Sequence, residues 1–200
     1  METPDLWTIE EECRARGIRC LCGVDEAGAG PLAGRVYAAA VILPFRLELP
    51  WLNDSKKVTP KRREVLYDQI IQGAISWAVS WAEVEEIDKI NILNARLLAM
   101  ERAIQALHPP ADYALVDGNR SAGITIPHET VIKGDGKSAS IAAASILAKV
   151  SRDRYMIEMA DRYPQYAFAQ HKGYPTKLHY ARLREFGPCP IHRQTFLKNV

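Results

Sequence analysis

The sequence predicts an α/β layered domain, and three observations carry that prediction. Strand-like apolar runs come first, and mixed strand and helix patterns follow them. Ile75, Trp77, Val79 and Trp81 alternate strictly, the period of a strand. Leu93, Leu97, Met100, Ile104 and Leu107 step by fours and threes, the period of one helix face. At 200 residues, 48% hydrophobic and 25% charged, the chain can bury a full core without metal or disulfide support.

The elements follow in order. Thr3-Pro4, an acidic run and Gly17 predict a capped helix, with Pro at its first position and Gly past its end. "IRCLCGVDE" is a strand, and "RVYAAAVILP" is a second one, stopped by Pro44. Thr59-Pro60 opens the helix "KRREVLYDQIIQG", and the alternating stretch "AISWAVSWAEV" returns the chain to the sheet. "YALVDG" is a short buried strand ending at Asp117, and "TVIKGDGKSAS" reads as strand, then loop. "SIAAASILAKVSRDRYMIEMADRY" is helical, with small residues that permit close packing. "TKLHYARLREFG" is a last helix, capped by Thr176 and closed by Gly187.

Composition excludes several classes of function. No apolar run approaches the roughly 18 residues of a membrane span, and the acidic N-terminus lacks the apolar core of a secretory signal. Cys13, Cys20, Cys22 and Cys189 follow neither zinc-ribbon nor dense disulfide spacing, so they read as buried thiols in a reduced, cytoplasmic protein. Charge is uneven: residues 1–119 carry 13 Lys/Arg against 18 Asp/Glu, and residues 120–200 carry 13 against 6. That asymmetry suits a polyanionic partner, although a solvated basic face gives the same count.

The stretch "CGVDEAGAGPLAG" poses the central question of function. A dinucleotide-binding loop needs its glycines to open a helix, and here the next segment reads as a strand. Asp25 and Glu26 would also repel a pyrophosphate. The other reading takes them as a strand-end acid pair beside a sharp glycine turn that can approach a ligand closely. Adjacent strand residues face opposite ways, so the two acids share a site only where the strand bends. Asp117 and Asp135 lie in comparable settings, and Mg²⁺ is held by such carboxylates together with substrate phosphates. Each acid alone also fits an exposed or turn-forming Asp or Glu. The residues by themselves reach a metal-dependent phosphoryl-transfer site and no further.

In these motifs the chain resembles ribonuclease HII, the type 2 ribonuclease H of bacteria. The likeness runs in order through "GVDEAGAGPLAG", "LNDSKKVTPKRR", "EIDKINILNA", "LVDGN", "VIKGD", "AAASILAKVSRDR", "FAQHKGYPT" and "PIHRQTF". It implies a ribonuclease H-like fold, with a mixed central sheet flanked by helices. Residues 1–200 would form one catalytic domain, in which a helical C-terminal segment from about 165 to 200 covers the substrate groove. It implies a monomeric endonuclease acting on RNA–DNA hybrids and 5′ to single ribonucleotides embedded in duplex DNA, leaving 3′-hydroxyl and 5′-phosphate ends.

The resemblance also assigns residues. Asp25, Glu26, Asp117 and Asp135 match the carboxylates that hold two divalent ions, Mg²⁺ or Mn²⁺. Gly28, Ala29 and Gly30 match the element whose backbone reads the ribose 2′-hydroxyl, the local mark of RNA. The family has Arg where this chain has Ala29, which implies lower activity or substrate affinity through loss of a guanidinium that binds phosphate or braces the turn. Tyr174 matches the tyrosine that packs on the sugar at the RNA-to-DNA junction. Asn53, Ser55 and Lys56 match a phosphate-contacting loop. Lys149 and Arg152, three apart, share a helix face toward DNA or toward a surface ion pair. His171 and His192 touch phosphate or cap loops. A non-catalytic hybrid-binding protein is the alternative that Ala29 leaves open.

Overall fold

The computed structural model describes residues 5–198, so the helix start expected at Thr3-Pro4 lies outside the described residues. The elements run α1 (Thr8–Ala15), β1 (Leu21–Ala27), β2 (Val36–Ile42), α2 (Pro60–Gly73), β3 (Ser76–Ala82), α3 (Val84–Gln105), β4 (Tyr113–Asp117) and β5 (His128–Val131). They continue through a 3-10 turn (Gly134–Gly136), α4 (Ala139–Arg162), a second 3-10 turn (Pro164–Tyr166), the single-turn α5 (Phe168–His171), α6 (Lys177–Phe186) and a last 3-10 turn (Gln194–Phe196).

The sheet order is β3-β2-β1-β4-β5. β1, β2 and β3 pair antiparallel, whereas β4 joins β1 in parallel after the α3 crossover and β5 joins β4 in parallel through a helix-free connection. The strand after the glycines is therefore β2 and not a helix, which removes the dipole a dinucleotide site requires.

Both faces of the sheet are covered. Cys22 and Val24 of β1, with Val36, Ala38, Ala40 and Ile42 of β2, pack on α3. Ala39 and Val41 of β2 pack on α4, which α2 covers in turn through Leu66 and Ile70. The alanines let α4 come close, and at Gly23 the approach is closest. An added Cβ there would overlap the Ser140 and Ile141 backbone. The start of α4 is held in this position by Ser138, which caps Ile141 N, and by buried Glu10, whose Oε1 accepts Ser138 Oγ at 2.6 Å and Ser140 N at 3.0 Å.

Two features differ from the periodic reading. On β3 the alternation holds, but the small side is the buried one: Ala78 and Ala82 face α3, while Trp77 and Trp81 are each 39% exposed. An edge strand has a helix on one face and room for large side chains on the other. Leu93 is also exposed, in the first turn after a break in α3 at Asn91 (φ 64°, ψ 164°). Asn91 Oδ1 accepts Asn94 N at 3.1 Å and so caps a second helical segment with a new phase. Leu97, Met100 and Ile104 are buried in that segment. The four cysteines are free; Cys13, Cys22 and Cys189 are buried, but Cys20, just ahead of β1, is half-buried, and among the described residues no helix is long and apolar enough to cross a membrane.

The C-terminal segment packs on the glycine turn. Leu32, Ala33, Tyr155, Met156, Tyr166 and Phe168 belong to one buried cluster, and Ala33 pairs with His192 in an isolated β-bridge.

Candidate active site

The four acids occupy one end of the sheet. β1 and β4 run parallel with Val24 opposite Val116, which brings the Asp25 and Asp117 backbones side by side at the strand ends. Asp117 Oδ1 accepts Gly134 N at 2.7 Å, and this bond ties the 3-10 turn carrying Asp135 to the end of β4. No bend places Asp25 and Glu26 together. Both stay in β1, with Asp25 on the α4 side and Glu26 on the α3 side, where Arg96 Nη1 reaches Glu26 Oε1 at 2.9 Å. Asp25 Oδ1 accepts Glu26 N at 2.7 Å.

Burial and mutual repulsion mark the cluster. Asp25 is 5% exposed, and burial followed by the charges of Glu26 and Asp117 pushes its carboxyl well above the usual range. Burial also raises Glu26, against the opposing pull of Arg96. Asp135 is raised by burial, then by Asp54 and Asp117. Lys56 answers this field: burial opposes its charge, but Asp54, Asp135, Asp25 and Asp117 raise it, and its Nζ lies 4.0 Å from Asp135 Oδ2.

The donor set is compatible with hard divalent cations. It is all carboxylate, it is partly desolvated, and Glu26 Oε2 is buried with no hydrogen-bond partner. Among the described residues, no three His, Cys, Asp or Glu side chains stand in a ready metal-holding arrangement. The carboxylates are instead partnered by Arg96 at Glu26, Lys56 at Asp135 and backbone N–H groups at Asp25 and Asp117.

A groove of about 220 Å³ adjoins the acids, with walls that include Asp25, Glu26, Gly28, Ser55, Lys56 and Tyr174. Ala29 and Gly30 also line it, and Gly30 faces Tyr174, whose Cε1 would lie 4.0 Å from an added Cβ. Asn53 lies outside it, in a larger depression of about 640 Å³ beside Arg46 that none of the four acids lines; its Oδ1 accepts Asp54 N at 2.8 Å. Ser55 is buried and accepts Ser145 Oγ at 2.8 Å, so it braces the loop, whereas the Lys56 side chain is 82% exposed.

The glycine turn is built from its carbonyl side. Arg193 is fully buried, and its guanidinium donates to Gly28 O at 2.7 Å, Pro31 O at 2.8 Å, Gly34 O at 2.9 Å and Ala29 O at 3.2 Å. Arg152, equally buried, donates to Ala33 O at 3.2 Å, Lys172 O at 3.1 Å and Arg35 O at 3.3 Å. With its carbonyls taken inward, the turn leaves Ala29 N and Gly30 N without a backbone acceptor among the described residues. Gly28 has φ +97°, and a side chain there would run into Arg152. Arg152 is thus an internal strut and does not face outward with Lys149. Lys149 pairs with Asp153 at 2.7 Å and sits 6.0 Å from the Tyr174 ring centroid. Arg193 and Asp54 lie inside "PIHRQTF" and "LNDSKKVTPKRR", and Arg96 just past "EIDKINILNA", but their roles are not legible there, because each acts on a partner distant in the chain or on backbone atoms.

This fold and cluster define a ribonuclease H-like nuclease. A solved ribonuclease H2 from Pyrococcus horikoshii OT3 superposes with a TM-score of 0.72 at 26% identity, covering 88% of this chain and 93% of that one. Residues 22–199 match the family profile Ribonuclease HII. A ribonuclease HII of Caldicellulosiruptor saccharolyticus is 50% identical over 98% of this chain and 96% of its own length. Another, from Dechloromonas aromatica, is 55% identical over 90% and 91% respectively. The chain belongs to the ribonuclease HII family. It is a type 2 ribonuclease H, a nuclease of a divalent-metal-dependent family acting on RNA–DNA hybrids.

Proposed function

We propose that this nuclease also cuts duplex DNA on the 5′ side of single embedded ribonucleotides, leaving a 3′-hydroxyl and a 5′-phosphate. Asp25, Glu26, Asp117 and Asp135 would hold two divalent ions, Mg²⁺ or Mn²⁺, which when bound activate water and stabilise the leaving oxygen. Ala29 and Gly30 read the 2′-hydroxyl through their N–H groups, with Gly28 giving the turn its shape. Tyr174 packs beneath the neighbouring deoxyribose, where a 2′-hydroxyl would clash. Lys56 contacts backbone phosphate, and Ser55 and Asn53 hold its loop in place. The helical C-terminal segment, from about residue 165, covers the substrate groove within one catalytic domain, with Tyr174 on its lining.

One observation supports this reading above the others. Acids from β1, β4 and the 3-10 turn gather beside a turn whose carbonyls are sequestered and whose amides at Ala29 and Gly30 have no backbone acceptor among the described residues, facing an exposed tyrosine. The test compares three duplexes: all DNA, DNA with one ribonucleotide, and an RNA–DNA hybrid. Each is incubated with the protein, with and without Mg²⁺ or Mn²⁺. Metal-dependent nicking of the second and third, abolished by Asp117→Asn, is the expected result. Binding of the single-ribonucleotide duplex with no nicking in either metal would overturn the proposal in favour of a binder of that lesion.

A further inference from the structure

Three histidines lie outside the carboxylate site and are not used by the chemistry above. His171, His179 and His192 are 8%, 0% and 1% exposed, in a pocket of aromatic side chains that includes Tyr166 and Phe168. The His171 and His179 rings stack with centroids 4.3 Å apart, and His179 Nε2 lies 3.0 Å from His192 Nε2.

The hydrogen bonds fix the tautomers. Cys189 N–H donates to His192 Nδ1 at 2.9 Å, so the His192 proton is on Nε2. That proton is donated to His179 Nε2, which places the His179 proton on Nδ1, donating to Tyr174 O at 3.0 Å. Gly173 N–H donates to His171 Nδ1 at 3.1 Å, so His171 Nε2–H donates to Tyr166 O at 2.8 Å. Each ring is neutral, with one donor and one acceptor satisfied. A second proton on His179 or His192 would set N–H against N–H. Burial drives both to about 4, and each also feels another imidazole, His171 beside His179 and His179 beside His192.

Both lines of bonds end on the peptides that flank the Gly173–Tyr174 pair. Gly173 N and Tyr174 O are held from the inside by His171 and His179, while Gly173 O accepts Leu32 N at 2.8 Å from the chain leaving the glycine turn. Phenylalanines would fill the same volume without burying six ring nitrogens. A buried polar group costs stability unless it is bonded, and here the bonding converges on Tyr174, whose ring stays 40% exposed.

We propose that His179, aligned by His192, is a positioning residue for Tyr174: the imidazole relay sets the height of the tyrosine ring against the glycine turn and so tunes recognition of the ribonucleotide–deoxyribonucleotide junction. The inference rests on the reading of Tyr174 given above. Two measurements test it. Long-range ¹⁵N–¹H spectra of the unmodified protein at neutral pH should show His179 protonated on Nδ1 and the other two on Nε2. A His179 proton on Nε2 breaks the relay and overturns the proposal.

The second measurement is a double-mutant cycle on the single-ribonucleotide duplex, with KM and kcat read separately. His179→Phe should raise KM by about tenfold with a smaller change in kcat. His179→Asn, whose amide nitrogen falls near the Nδ1 position, should recover most of that loss. In a Tyr174→Ala background His179→Phe should add nothing. If Tyr174→Ala is damaging and His179→Phe is fully additive with it, the positioning role falls while the role of Tyr174 stands. If Tyr174→Ala cuts like the parent, the reading of Tyr174 falls, and this proposal with it.

Discussion

Replacing Arg193 with Lys keeps the charge and removes the fork, and the structure sets the size of the effect. The guanidinium spans four carbonyls, those of Gly28, Ala29, Pro31 and Gly34, within 2.7–3.2 Å. An ammonium concentrates its donors at one point and reaches about two of them, since it lacks the planar fork that makes Arg irreplaceable at such sites. Hydrogen bonds from a charged donor contribute about 1.5–3 kcal/mol each, so losing two removes roughly 3–6 kcal/mol. Set against a total stability of about 5–15 kcal/mol, the variant should fold but with a sharply lower urea midpoint. The buried ammonium has an added handicap, because the site already lowers the pKa of Arg193 to about 9 through burial and then through Arg152. Function should fall by a separable route. With Gly28 O and Ala29 O released, the turn no longer presents Ala29 N and Gly30 N in one place. Affinity for a single-ribonucleotide duplex should therefore drop toward that for an all-DNA duplex, measured by anisotropy in an Asp117→Asn background. A destabilisation below about 1 kcal/mol with the affinity ratio unchanged would refute the reasoning, since worst-case loss of even one such bond exceeds it.

Two further outcomes follow from the same geometry. His179 and His192 are held near 4 in the folded protein against about 6.5 unfolded, so between those values the unfolded chain binds more protons and stability falls as pH falls; one such group contributes about 3 kcal/mol at neutral pH, and urea midpoints from pH 7 to pH 4.5 should decline more steeply for the parent than for His179→Phe, equal slopes arguing against it. Ala29→Arg should leave the unfolding free energy within about 0.5 kcal/mol by urea titration, because Arg193 already braces that turn, yet lower KM for the single-ribonucleotide duplex through a new phosphate contact; identical KM values would show that position 29 needs no guanidinium.

Much of the fold was legible because its signals are local. Thr59-Pro60 and Thr176 with Gly187 delimit α2 and α6 as read, since caps act within one turn of the chain. The alternation of β3 was equally plain, but not which side it buries. Periodicity reports that two faces differ, and the position of α3 decides that Ala78 is buried and Trp77 is not. Leu93 keeps the helical spacing of Leu97 yet stays exposed in the first turn after Asn91, and a positive φ at Asn leaves no trace in an apolar count. Around the acids, residue type indicated the chemistry while the counter-charges stayed hidden. Arg96 meets Glu26 across 70 residues, and buried Arg152 breaks the rule that arginines stay wet. Both exceptions arise where a turn offers carbonyls, or a strand end offers a carboxylate, to a helix that arrives much later in the chain.

The arrangement divides labour between two parts of one chain. The acids belong to the sheet: β1, β4 and the turn fastened to β4 by Gly134. The groups proposed to recognise sugar belong to a second assembly, in which residues 171–193 bind residues 28–34 mainly through backbone atoms. Leu32 N bonds Gly173 O, Gly34 N bonds Ile191 O, and Arg193 N bonds Leu32 O, all at 2.8–2.9 Å. The spacing between the glycine turn and Tyr174 is thus set by main-chain bonds that the buried Arg193 and His179 side chains hold in place. Two readers at a fixed separation measure a fixed step along the strand, a ribose followed by a deoxyribose. Loosening the second assembly should then relax substrate choice before it harms phosphodiester chemistry, whereas altering the acids should abolish cleavage and leave binding preference in place.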